Sequence, residues 1–168
     1  PKQQVPTLIE GNTASYDSLL IAQQLLPFQW YQTTDAKIFR LGDADFEQAI
    51  IFFFRANMLA KTFGPTEQSA LLFDAGRERY CCSIDVLFDH LLPQLAHNIK
   101  DIELNVGVVL AFSTILACRA LAQSVEIERY RQQELKVLSD SMQTDNAYQQ
   151  LIRRYASDAD CELGFILP

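Results

Sequence analysis

Hydrophobic positions in this chain fall into helix-length groups, and the strongest lies in the second half. Apolar residues run almost without interruption from Val106 to Cys118. The chain then turns charged at Glu126, Glu128, Arg129, Arg131, Glu134 and Lys136, with no proline between. A helix that is apolar all round is buried, and a mostly polar one is solvated or lies against a partner. One continuous helix from Asn105 to about Ser139 would therefore begin as the central post of the core and end outside it. On a helical wheel Leu121, Val125 and Leu135 fall nearly opposite Ile127, Tyr130, Val137 and Leu138. Either both surfaces are covered or the helix breaks near Gln123-Ser124. No heptad is sustained, which argues against a coiled coil.

The other groups are shorter. Residues 1–14, with Pro1, Pro6 and Gly11, read as a tail or loop. Ser15 can cap a helix over Tyr16–Leu26 that Pro27 closes. An aromatic connector carrying the sole tryptophan, Trp30, follows, and Lys37–Leu41 alternates as a short strand would. Asp43 or Asp45 is placed to cap a helix running to Phe63, where Gly64-Pro65 stops it. In that helix Phe46, Ala49, Ile50, Phe53, Ala56 and Ala60 share one face, while Ile51, Phe54 and Met58 form an apolar flank beside Arg55 and Thr62. The flank must be covered by the core or by a partner.

Residues 69–84 admit two readings. Asp74-Ala75-Gly76-Arg77 resembles a hairpin turn, and Tyr80, Cys82 and Ile84 then alternate with polar positions. The competitor is one helix from Thr66 to Cys82, which Gly76 weakens. The hairpin is favoured slightly. Ser83 or Asp85 can cap a helix at Val86–Leu92, with Pro93 kinking it or starting another. Asp145 can cap a last helix over Asn146–Tyr155, and the apolar stretch Cys161–Pro168 is expected to pack somewhere. The fold class expected is mostly α (α+β), a bundle of five to six helices with a β-hairpin or small sheet. It forms one globular helical domain over residues 15–168.

Composition narrows function by exclusion. The 168 residues carry a net charge of −7, which opposes binding to a phosphate backbone, so no nucleic-acid partner is expected. The longest apolar run has 13 residues and ends at Arg119, short of the roughly 20 that span a bilayer; no membrane insertion is expected. The cysteines Cys81, Cys82, Cys118 and Cys161 form no C-x-x-C pair, and nothing resembles a targeting signal, so a reducing cytoplasm is the simpler location.

No catalytic constellation emerges. His90 and His97, the only histidines, are about 10 Å apart along a helix axis and have Pro93 between them, too far for one metal ion without other ligands. A nucleophile pair of Cys81 or Cys82 with His90 is the enzymatic alternative, a hydrolase-like site, with no local signature behind it. Glu-x-x-His motifs and glycine-rich phosphate loops are missing. No cofactor, metal site or catalytic residue is assigned. Phe52, Phe53, Phe54, Phe63 and Phe112 could line a pocket for a small hydrophobic ligand, although aromatic stripes at helical spacing usually form plain core.

The leading expectation is a non-enzymatic interaction subunit. Size, acidity and helix-rich makeup resemble the small acidic adaptor and chaperone subunits of bacterial type III and type IV secretion systems. That resemblance covers general character and carries over no motif. It implies partners among the other protein subunits of a larger assembly, or among secreted effectors. The aromatic and apolar candidates for partner contact are Trp30, Ile127, Tyr130, Tyr148, Phe165, Ile166 and Leu167.

Overall fold

In the computed structural model, the residues described are 8–11, 13–15, 17–102 and 105–144. The chain opens with a two-stranded antiparallel sheet, β1 (Leu8–Glu10) and β2 (Thr13–Ser15), in which Leu8 faces Ser15 and Glu10 faces Thr13. Gly11 sits at φ +59° in the tight connection, a conformation glycine adopts without cost. Apart from Ser15, this sheet lies within the stretch read as tail or loop.

Six helical rods follow among the described residues. The first is α1 (Ser18–Leu25). The second runs without interruption through α2 (Thr34–Arg40), a π-helical stretch Leu41–Phe46, and α3 (Glu47–Phe63). The third joins α4 (Glu67–Asp85), a π-helical stretch Val86–Leu91, and α5 (Leu92–Leu95). The last three are α6 (Val106–Ala122), α7 (Val125–Arg129) and α8 (Gln132–Thr144). The mostly helical bundle with a small sheet is thus the observed fold.

The central post is real. Along α6 the residues Val108, Ala111, Phe112, Ile115, Cys118 and Ala122 are buried. They meet Ile38, Phe46, Ala49 and Phe53 of the second rod, and Tyr80, Ile84 and Leu87 of the third, in one core. Close approach needs small residues. A Cβ on Gly42 would lie 3.1 Å from the Ala111 backbone, so any larger residue would push the π-helical stretch away from α6 by a few tenths of an ångström.

A buried carboxylate pins the start of the post. Asp35 lies in the first turn of α2 and is 7% exposed. The Gly107 backbone N–H donates to its Oδ1 at 2.9 Å, and the Trp30 indole N–H donates to Oδ2 at 2.7 Å. One acidic side chain thereby serves the N-termini of α2 and α6, where negative charge is favoured.

Several local expectations are corrected. Residues 69–84 are helix rather than hairpin: Gly76 is buried where α4 crosses α3, and a Cβ there would come within 2.9 Å of the Phe53 ring. The glycine answers a packing demand, not a turn. Lys37–Leu41 is helical because Ala36, Ile38, Phe39 and Leu41 are all buried, which a one-sided alternation would not allow. Asp17 caps α1, accepting from Leu20 N at 2.9 Å, while the hydroxyl of Ser15 is bonded to Gln24. Asp43 and Asp45 cap nothing, since the helix passes straight through them from its cap at Thr33. Nor do Ser83 and Asp85 start a helix. The third rod continues into its π-helical stretch, where the Leu92 N–H reaches back five residues to Leu87 O, immediately before Pro93. A proline removes a donor and crowds the preceding turn, and the wider winding accommodates it.

The continuous helix from Asn105 to Ser139 does not form. Gln123 (φ 48°) ends α6 in the left-handed conformation, at the break the wheel pattern allowed, and Arg131 (φ 48°) makes a second break. Those two turns bring Ile127, Leu135, Leu138 and Met142 into the core together. The expected helix over Asn146–Tyr155 and the apolar stretch Cys161–Pro168 lie outside the described residues.

Candidate functional site

Three features of the described surface can do more than hold the fold. The first is the outer face of the α3–α4 pair. Gly64 (φ 79°) ends α3, and Thr66 with Ser69 forms a capping box that starts α4, so the two helices fold back on each other. Their core sides meet at Phe53 and Gly76. On the far side of α3, Phe54 is 53% and Met58 49% exposed, and on α4 Leu71 is 63% exposed. Where the two helices lie side by side runs a shallow groove in two stretches, lined by neither Phe54 nor Leu71. One, of 530 Å³, is lined by Gln48, Phe52, Ala75, Glu78, Arg79 and Cys82. The other, of 360 Å³, is lined by Arg55, Met58, Leu59, Gln68 and Leu72. The α3 positions 48, 52, 55 and 59 make one helical stripe about 16 Å long.

The second feature is a polar clasp that locks the last helices onto the third rod. The Arg119 Nε–H donates to the Tyr80 hydroxyl at 2.8 Å, and its Nη2 donates to the Tyr130 carbonyl at 2.8 Å. The Tyr130 hydroxyl donates to Asp85 at 2.8 Å. Arg131 pairs with Asp85 at 3.0 Å and Asp89 at 2.6 Å, with its guanidinium 5.9 Å from the centre of the Phe88 ring. Burial pushes the Tyr80 phenol up to about 12, and the hydrogen bond to Asp85 pushes Tyr130 up to about 12. Both stay protonated at neutral pH, Tyr80 accepting from Arg119 and Tyr130 donating to Asp85. The hydrogen bond to Asp89 raises Arg131 further above neutrality.

The third feature is a groove of 490 Å³ between α6 and α8, lined by Phe112, Ile115, Leu116, Arg119, Gln132, Leu135, Lys136, Ser139 and Asp140. Sequence reasoning missed it, since it depends on where α8 is returned by the turns at Gln123 and Arg131.

The residues singled out for partner contact are dispersed. Trp30 is half-buried, tied to Asp35 and packed edge-on against Tyr31 and Phe39. Ile127 is 0% exposed, so it is core and offers no surface to a partner. Tyr130 is half-buried and belongs to the clasp. Tyr148, Phe165, Ile166 and Leu167 lie outside the described residues. The apolar flank read from the helical wheel, by contrast, is where Phe54 and Met58 stand exposed.

For catalysis the geometry offers little. Among the described residues no cysteine is hydrogen-bonded to a histidine, and His90, His97 and Cys82 are exposed. Burial pushes the Cys118 thiol up to about 12 and raises Cys81, so neither is poised as a thiolate. No group of three or more His, Cys, Asp or Glu side chains among the described residues could hold a metal ion. No helix among them is long and apolar enough to cross a membrane. Of the pocket aromatics, Phe53 is core, Phe52 lines the α3–α4 groove and Phe112 lines the α6–α8 groove. No protein family, curated protein or solved structure matches this chain.

Proposed function

We propose that the protein is a non-enzymatic interaction subunit that docks other proteins on the outer face of its α3–α4 pair. The observation carrying this reading is the groove between the two helices, whose lining includes Phe52, Met58, Leu59 and Leu72, on a helix pair that also exposes Phe54 and Leu71. Apolar side chains left exposed on one helix pair, beside a partly apolar groove, are the usual makeup of an interaction site. The rigidity of two packed helices supports the same reading, because a preformed surface loses little freedom on binding. A groove about 16 Å long between two helices has the dimensions to take the apolar stripe of a partner helix.

The adaptor and chaperone subunits of secretion systems, which the chain resembles in size and acidity, are the kind of protein this reading describes. The test is co-purification of the tagged chain, at native level, from its own cell. A stoichiometric companion that remains at moderate salt supports the reading, as apolar contact predicts. A lone species at low salt counts against it.

A further inference from the structure

We propose that the groove between α6 and α8 binds a small amphiphilic anion, a carboxylate or sulfonate with an apolar tail, its charged end held by Arg119 and Lys136. This inference rests on a different surface from the α3–α4 face and stands independently of the docking reading.

The two helices run antiparallel. The start of α8 lies by the end of α6, because Arg119 bonds the Tyr130 carbonyl, and the end of α8 lies by the residues preceding α6, because Ser141 reaches the Lys100 carbonyl at 3.4 Å. On α6 the lining residues Phe112, Ile115, Leu116 and Arg119 recur at helical spacing, giving a floor about 10 Å long. That floor is apolar except at the Arg119 end. On α8, Leu135 continues the apolar surface and Lys136 adds a second cation. The volume, 490 Å³, falls within the range of small-molecule sites.

Charge decides the class of ligand. Among the described residues the Arg119 guanidinium donates to neutral acceptors, a phenol and a carbonyl. No carboxylate among the described residues pairs with Arg119 or with Lys136. A guanidinium is always charged, and a partly buried cation facing an apolar cleft is stabilised by an anion. The one carboxylate lining the groove, Asp140, is two turns along α8 from Gln132 and one turn beyond Lys136. It disfavours an anion at that end, so the head lies by Arg119 and the tail runs toward Phe112.

The test is calorimetric titration of the full chain with octanoate and with octanol, which have eight carbons each and differ in charge. The expected result is saturable one-to-one binding of octanoate, with octanol weaker by about tenfold or more, as loss of charge-assisted hydrogen bonds implies. Leu116→Trp fills the groove and should abolish octanoate binding while leaving the circular dichroism spectrum unchanged. Lys136→Gln should weaken octanoate and flatten its salt dependence. If Arg119→Gln fails to fold because the clasp is broken, those two variants carry the test. Octanol binding as tightly as octanoate, uptake that does not saturate at one per chain, or unaltered affinity in Leu116→Trp would each overturn the proposal.

Discussion

Replacing Gly107 by alanine sets two physical effects against each other. Alanine in place of glycine inside an exposed helix would add about 1 kcal/mol of stability through backbone entropy. At this position, however, the new Cβ would lie 2.6 Å from the Asp35 carboxylate oxygen and 2.8 Å from the Phe39 backbone nitrogen. Backbone atoms on a packed helix cannot step aside, so α6 must move away from α2. Overpacking of this kind costs about 1–3 kcal/mol. The displacement also breaks the bond from Gly107 N–H to Asp35, and a bond to a charged acceptor contributes about 1.5–3 kcal/mol. Set against the propensity gain, the net loss is about 1.5–5 kcal/mol, a large part of a typical domain's stability. Urea unfolding followed by the fluorescence of Trp30, which bonds the same carboxylate, reads this directly. A variant as stable as the wild type, or more so, would refute the anchoring of α6 by Asp35.

Three further outcomes follow from the same geometry. Asp35→Ala leaves the Gly107 and Trp30 donors without their acceptor and should cost about 3–4 kcal/mol in the same assay, with the Trp30 emission shifted toward that of solvated indole. Ile127→Ser should cost about 2–5 kcal/mol by thermal unfolding, since the side chain is fully buried; a loss under about 1 kcal/mol would place it on the surface instead. Tyr80 and Tyr130 hold their protons to about 12 in the folded state against 10.0 for the free phenol. The unfolded chain therefore releases those protons first, and stability present below pH 10 should be lost progressively as pH rises toward 12. Tyrosinate absorbance of the folded protein should lag that of the urea-unfolded chain across this window, and Tyr130→Phe should narrow the lag.

What the sequence reveals depends on whether the determining contacts are local. The central post could be read because eleven of the thirteen positions from Val106 to Cys118 are apolar, Gly107 included, which leaves a helix no polar face. The end of α3 at Gly64 was also legible from its glycine-proline pair, whereas the break after Ala122 stood only as one of two alternatives, raised by apolar positions that no single helix face could collect. Gly76 misled because a turn glycine and a packing glycine look alike until the opposing ring, Phe53, is known. Asp43, Asp45, Ser83 and Asp85 have the chemistry of caps, but the helices run through them, with π-helical winding at or just beyond each pair. The anchor at Asp35 joins residues 72 positions apart in the chain, and no local pattern announces it. The second apolar flank of α3 was visible on the wheel, whereas the groove beside α8 required the two left-handed turns at Gln123 and Arg131.

The most direct test of the docking account is to compare retention of co-purifying protein by the wild-type chain and by a Phe54→Ser, Met58→Ser, Leu71→Ser variant. All three side chains are exposed, so the fold should survive, with each change costing about 0.5 kcal/mol or less. Truncated apolar anchors at an interface cost about 2 kcal/mol each, so the variant should lose its companion while unfolding at nearly the wild-type temperature. A folded variant that keeps the same companion at the same affinity would contradict the account.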